Sequence, residues 1–299
     1  EENKPFTLEK LKYGIEKLYA TNEYEYITFR FRQKDTLEII CKERIINSVG
    51  IGIHYEKGTS ATVLLNYTNK NFLINGDIMA IDIKLSELPG FKFNYVADRG
   101  PIPAPLIKLQ FNQFNYNFYD SGNYFGNAKL NFGLAEVGFS TTGNNLFTIG
   151  LVGNVEFYDL FNIVSNSQIE LTSQSETKFF YNYKLFTIYD SRNSSVLPTR
   201  GNKFYANIKL NTDNFYSYNN SLPLLSLMYK NDRTFSINKK LTFSYFHGIR
   251  LFLSDSMPHP LIKSFLGGEN TPDLYEYQIP FYGLHFTEIV AKNIFSTVI

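Results

Sequence analysis

Gly138-Phe139-Ser140-Thr141-Thr142 begins like the G-x-S-x-G elbow that lifts a nucleophilic serine onto a strand-to-helix turn. The second glycine is absent and the residues around it read as strand, so no acyl-transfer site is assigned and the catalytic set is empty. The four histidines, His54, His247, His259 and His285, are scattered, with no H-x-x-x-H spacing, and Cys41 is the single cysteine. A metal centre needs several converging ligands. Glu269 and Asp273 lie close in sequence, but two carboxylates fall well short of the six to eight oxygens that Ca²⁺ takes. We expect neither metal nor cofactor. What remains is mechanical. Asp190, Arg192, Asn193, Pro198 and Gly201 have the chemistry of a tight turn: short polar side chains that bond local N–H groups, a fixed φ, and a permissive return. Arg192 and Arg200 are read as structural partners of Asp190 or of a nearby carboxylate. Further on, Gly267-Gly268 lets backbone pass close to a wall, and Pro280-Phe281 anchors its return.

Those segments must be positioned by strands. Aromatics make up 17% of the chain, with 28 Phe, 22 Tyr and no Trp, while charged residues are only 19%; an average soluble domain carries about 25%. A net charge of +1 offers no field for nucleic acid. No apolar run reaches the length of about 18 residues that a membrane-crossing helix requires. The convincing helix lies near the start, where Leu8, Leu11, Ile15 and Leu18 form one stripe behind Thr7 as N-cap. Two short strands follow across the Gln33-Lys34-Asp35 turn. From Ile45 onward, period-two alternation takes over, as in Val49, Ile51, Ile53 and Tyr55. The pattern predicts about twelve strands, the last over Tyr282–Ile299, several of them longer than globular sheets use. Lys57-Gly58, Asn75-Gly76 and Pro89-Gly90 are among the turns. In one strand the apolar set Ile107, Leu109, Phe111 gives way to Phe114, Tyr116, Phe118, which fits either a bulge or a passage from lipid face to rim.

A soluble sandwich shows the same alternation. Three features favour a transmembrane barrel: Ser48, Gly50 and Gly52 on the small face of the first strand, isolated charges among Asn, Thr and Ser on later polar faces, and aromatics near strand ends. The last group, Phe118, Tyr119, Tyr124 and Phe125 with Phe215, Tyr216 and Tyr218, would form an interfacial girdle.

Three stretches together resemble a known superfamily. Asp190-Ser191-Arg192-Asn193 with Pro198-Thr199-Arg200-Gly201 resembles the periplasmic turn of BamA/TamA-like outer-membrane proteins. Phe265-Leu266-Gly267-Gly268 through Tyr275-Glu276-Tyr277 to Pro280-Phe281-Tyr282-Gly283 sits where these proteins carry a loop that enters the lumen. The usual arginine of that loop's tip is missing, so its ion pair is not carried over; the ending is similar to barrels attached to patatin-like phospholipases, type V-d autotransporters. Phe6 to Asn22, then Tyr26, resembles the second half of a POTRA module. The turn falls between the eighth and ninth strands and the loop between the eleventh and twelfth, so a chain entering from the periplasm places the first inside and the second outside.

The resemblance implies an all-β fold, an antiparallel transmembrane barrel with about twelve of sixteen strands, over residues 44–299. Residues 1–43 are expected to be a partial α/β POTRA module. Glu1-Glu2-Asn3-Lys4 lacks the features of a signal peptide, and both ends read as cut. The implied role is an outer-membrane translocator or anchor for a covalently attached N-terminal lipase passenger, with outer-membrane lipid as the surrounding partner. Homodimerisation stays open. Two rivals are an assembly factor of the BamA/TamA type and a soluble β-rich binding module.

Overall fold

The computed structural model describes residues 7–20, 24–32, 36–43, 47–56, 60–74, 76–97, 101–120, 122–143, 146–165, 176–194, 197–238, 240–268 and 275–298. The Gln33-Lys34-Asp35 and Lys57-Gly58 turns, Asn75, and the Glu269 and Asp273 carboxylates lie outside them. Helix α1 (Leu8–Ala20) starts where the Lys10 N–H donates to Thr7 Oγ1 at 3.3 Å, the cap expected of a threonine. It contacts β1 (Tyr24–Arg32), which pairs antiparallel with β2 (Thr36–Glu43) in a separate two-stranded sheet. Among the described residues, Leu11 and Ile27 are the buried apolar ones of this segment.

Eleven strands then follow as an uninterrupted antiparallel meander. They are β3 (Ser48–Glu56), β4 (Ser60–Lys70), β5 (Asp77–Leu85), β6 (Gly90–Ala97), β7 (Ala104–Asp120), β8 (Asn123–Gly143), β9 (Phe147–Ser165), β10 (Glu176–Asp190), β11 (Gly201–Thr212), β12 (Leu224–Asn238) and β13 (Leu241–Phe252). After β13 comes a 3₁₀ turn at Pro260–Ile262, which the sequence pattern did not anticipate. Strands β14 (Ser264–Leu266), β15 (Gln278–Ile279) and β16 (Ile289–Ala291) make a small three-stranded sheet of their own. Strand β17 (Ile294–Val298) returns to pair with β13 as the twelfth member of the main sheet, whose edges are β3 and β17.

The last strand is therefore far shorter than expected. Positive φ at Gly283 (94°) and Thr287 (65°) breaks the extended run, and Ile289–Ala291 is used in pairing with β14. Only from Ile294 is the chain free to join the wall.

The phase change in β7 has a clear cause. Pairing with β8 is continuous from Ala104 to Phe118, so no bulge lies between Phe111 and Phe114. Ile107, Leu109 and Phe111 are exposed on the outward face, while Phe114, Tyr116 and Phe118 point inward onto a packed core. The outward positions beyond Phe111 are polar. Gln113 donates to Asn131 at 2.8 Å, Asn131 to Asp159 at 3.2 Å, and Thr177 to Asp159 at 3.1 Å, a polar row across four adjacent strands. Below that row the wall is apolar outside; above it, apolar inside.

Two of the expected girdle aromatics, Phe118 and Tyr218, turn inward for the same reason, while Tyr124, Phe215 and Tyr216 stay exposed. Tyr218 is buried in the core and Phe118 packs against it. Phe215 stacks on Tyr181 with ring centroids 3.9 Å apart, while Tyr119 meets Tyr124 edge-on.

Candidate functional site

The segment between β13 and β17 touches the same inward face of seven consecutive strands. Thr287 Oγ1 accepts from Asn117 N at 3.2 Å and donates to Asn117 O at 2.9 Å on β7. Tyr275 meets Phe132 of β8 and Tyr158 of β9 edge-on. Further contacts reach β10 through Lys184, β11 through Tyr205, Asn207 and Lys209, β12 through Lys230 and β13 through Arg250. A flat sheet cannot present seven strands to one short segment. The wall is curled into a barrel, and the segment is a plug in its lumen.

Close backbone approach builds the plug. Gly267 has φ +125°, and a Cβ there would lie 2.1 Å from the His285 carbonyl oxygen. Its N–H donates to Ile279 O at 3.1 Å, and Gly268 forms an isolated bridge with Phe281 beyond Pro280. Gln278 Nε2 donates to the Gly267 carbonyl at 2.8 Å, closing the turn from the other side. Gly267, Gly268, Tyr275, Tyr277, Pro280, Phe281 and Gly283 all lie in this segment between β13 and β17. The sequence pattern had no means of placing the wall residues that meet them.

Those wall residues form a buried ionic network around Tyr275-Glu276-Tyr277. Glu276 Oε1 accepts from Tyr205 Oη at 2.6 Å and from Asn207 Nδ2 at 2.7 Å, and lies 3.6 Å from Lys184 Nζ. The Glu276 carbonyl accepts from Lys230 Nζ at 2.9 Å. Lys184 also pairs with Glu136 at 2.6 Å. Beside this lies a second pair, Lys209 and Glu156, both almost wholly buried, with the Tyr277 hydroxyl donating to Glu156 at 2.6 Å. The Arg250 guanidinium stacks 3.7 Å above the Tyr277 ring. Tyr275 Oη donates to Leu261 O at 2.6 Å. Burial would push the Glu276 carboxyl up, but Lys184, Lys209 and the Tyr205 hydrogen bond outweigh it and hold it well below the usual carboxylate range. The tip that carries an arginine in the resembled pattern carries an acid here, and the wall answers with lysines.

Outside the barrel strands, His259 anchors the approach to the plug. Its Nδ1 accepts the Leu261 N–H at 3.3 Å, and Nε2 lies 3.2 Å from Glu176. Burial lowers its pKa, against the pull of Glu176.

The Asp190–Gly201 turn is on the opposite rim, between the eighth and ninth strands of the main sheet. Arg192 Nη2 and Asp190 Oδ2 are 2.8 Å apart. Asn193 Oδ1 accepts the N–H groups of Thr199 and Arg200 at 3.0 and 3.2 Å, on either side of the bend after Pro198. Gly201 has φ +117°, and a Cβ would sit 2.5 Å from Arg192 Cα. The turn is also tied to β12, where Ser236 Oγ donates to Thr199 O at 2.8 Å.

The OMP85 superfamily sequence profile matches residues 35–299. Among curated proteins, none matches the chain in sequence. Among solved structures, the fold is similar to BamA from Haemophilus ducreyi lacking POTRA domains 1–3, with TM-score 0.56, 13% identity, and coverage of 91% of this chain and 55% of that one. CdiB from Escherichia coli gives TM-score 0.58 at 11% identity, covering 99% and 56%. CdiB from Acinetobacter baumannii gives 0.50 at 14%, covering 96% and 53%. The chain thus spans about half the length of these structures. The soluble-module alternative falls with these matches, and the outer-membrane barrel fold stands.

Proposed function

Because the chain belongs to the OMP85 superfamily, we propose that it is an outer-membrane β-barrel translocator or anchor whose lumen loop is latched onto the wall. The observation that carries this reading is the Glu276 tip seated on Tyr205, Asn207, Lys184 and Lys230. Removing either partner of such a buried ion pair leaves the other charge uncompensated, which suits a plug held in one arrangement. The setting is the outer membrane of a Gram-negative cell, with α1, β1 and β2 as the end of a periplasmic POTRA module.

For the cargo, the leading reading is a patatin-like phospholipase passenger on the same polypeptide, supported by the Ile279-Pro280-Phe281-Tyr282-Gly283 ending. An assembly factor of the BamA/TamA type is the second reading, favoured by the likeness to BamA. Deleting the gene separates them. Loss of a cell-surface phospholipase activity alone supports the anchor, and depletion of many unrelated barrels from the outer-membrane fraction supports the assembly factor. A protein recovered in the soluble fraction of the cell would overturn both.

A further inference from the structure

The connection between β4 and β5 lies on the same rim as the Asp190–Gly201 turn, because the two follow the second and eighth strands of the main sheet. Its backbone donors are satisfied from within. Asp77 is fully buried, and its carboxylate accepts the N–H groups of Phe72, Leu73 and Ile74 at 2.6, 2.8 and 3.0 Å. Asn71 N donates to Asp77 O at 3.0 Å, Asp77 N to Ile74 O at 3.2 Å, and Gly76 N to Asn71 Oδ1 at 2.7 Å. Every N–H among the described residues from Asn71 to Asp77 therefore has an acceptor inside the turn. A turn washed by water needs no such completeness. One seated in lipid does, because an unsatisfied N–H there has no water to bond.

The turn also lies on the lipid side of the wall. Met79 pairs with Tyr95 and Tyr95 with Ile107, so all three point to the outward face. Ile107 is exposed there, yet Met79 and Tyr95 are buried, with Ile74 packed against them. The chain from Asn71 thus folds back over the outside of β5 and β6. Ile74 takes the wall side, while Phe72 and Leu73 stay exposed. They extend the outward apolar row that Val63, Leu65 and Tyr67 of β4 form opposite Leu85, Ile83 and Ile81 of β5. Asp77, the acid of the turn, is bonded to the amides and shielded from the surface.

We propose that this turn is a lipid-seated hook. Phe72 and Leu73 enter the hydrocarbon of the leaflet at this rim, beside the β3 edge of the sheet, and the Asp77 carboxylate makes the backbone fit to follow them. This rests on the outer-membrane barrel reading and adds to it a fixed point of attachment. The chain contains no tryptophan, so Phe72→Trp and Leu73→Trp each introduce a lone fluorescent reporter. Phe91→Trp, on the outward face of β6 opposite Phe111, supplies a reference in the wall. Each variant of the whole chain is inserted into phosphatidylcholine vesicles with brominated acyl chains, and iodide is added to the water. Both tip reporters should be quenched by bromine, as the Phe91→Trp reference is, and shielded from iodide. Adding Asp77→Ala should abolish bromine quenching at the tip while Phe91→Trp in the same background keeps it, which separates a released turn from an unfolded barrel. Tip reporters quenched by iodide and not by bromine, or tip quenching indifferent to Asp77→Ala, would overturn the hook and leave the barrel reading standing. Absence of bromine quenching for Phe91→Trp in the otherwise native chain would remove both.

Discussion

The two halves of the wall solve the same problem differently. Strands β7 to β13 are long, reaching the 21 residues of β8, and inward polar groups there bond one another or the plug, as Asn154 does to Glu136, Asn182 to Asn154 and Tyr277 to Glu156. Strands β3 to β6 run only 8 to 11 residues, and β3 carries Gly50 and Gly52, where an added Cβ would meet nothing closer than 3.5 Å. Gly52 on the first half has room for a side chain, whereas Gly248 on the second is pressed by the plug. A Cβ on Gly248 of β13 would lie 2.5 Å from Ile279 of the plug, whereas one on Gly52 would meet Leu64 no closer than 3.7 Å. The same residue type marks clearance at Gly52 and contact at Gly248.

The comparison can be broken most severely at the plug tip. Glu276→Ala leaves Lys184, Tyr205 and Asn207 facing a lost acceptor, and removing one partner of a buried ion pair costs about 3–5 kcal/mol. The midpoint of the heat-induced gel shift should drop and single-channel conductance should rise. Tyr277→Phe removes the hydroxyl from Glu156 and Lys209; a hydrogen bond to a charged group is worth about 1.5–3 kcal/mol, read in the same assay. Gly248→Ala overpacks the Ile279 contact at a cost of about 1–3 kcal/mol. Gly52→Ala sharpens the contrast: the same change on the open half should stay within ~1 kcal/mol. If the two glycines respond alike, the wall is not divided as described.

Acid gives a graded version of the same test. His259 has its pKa depressed below its ordinary 6.5, so the neutral form is the one that stabilises; its contribution is complete above 6.5 and fades as pH falls through the folded value. The Glu276 carboxyl is depressed from 4.5, so its contribution is intact above that pH and is lost only in stronger acid. Thermal stability should therefore decline in two stages on acidification. The first should vanish in His259→Gln, and the second should be absent from Glu276→Gln.

Much of this was legible in the residues. Period-two alternation located the twelve wall strands, and counting them placed the Asp190–Gly201 turn and the Gly267–Pro280 loop in the gaps where they are found. Thr7 announced the helix start. The alternation failed at Tyr282–Ala291, because apolar residues there face a plug rather than lipid, and period two cannot tell those surroundings apart. Nor could it pair Glu276 with Lys184 and Lys230, which are close only because the wall curls. Their type was visible, as isolated charges among Asn and Ser on inward faces; their convergence depended on the closure of the sheet.

The polar row from Gln113 to Thr177 doubles as a waterline. Beneath it, the outward run on β9 from Phe147 to Phe157 rises roughly 33 Å along its strand at ~3.3 Å per residue, or about 25 Å once tilted by ~40°. The chain thus carries its own gauge of the bilayer it fits. In a thicker membrane, the amides and the Asp159 carboxylate would be drawn into hydrocarbon on one flank, so the molecule would sort toward thin bilayers or pinch the lipid beside that flank.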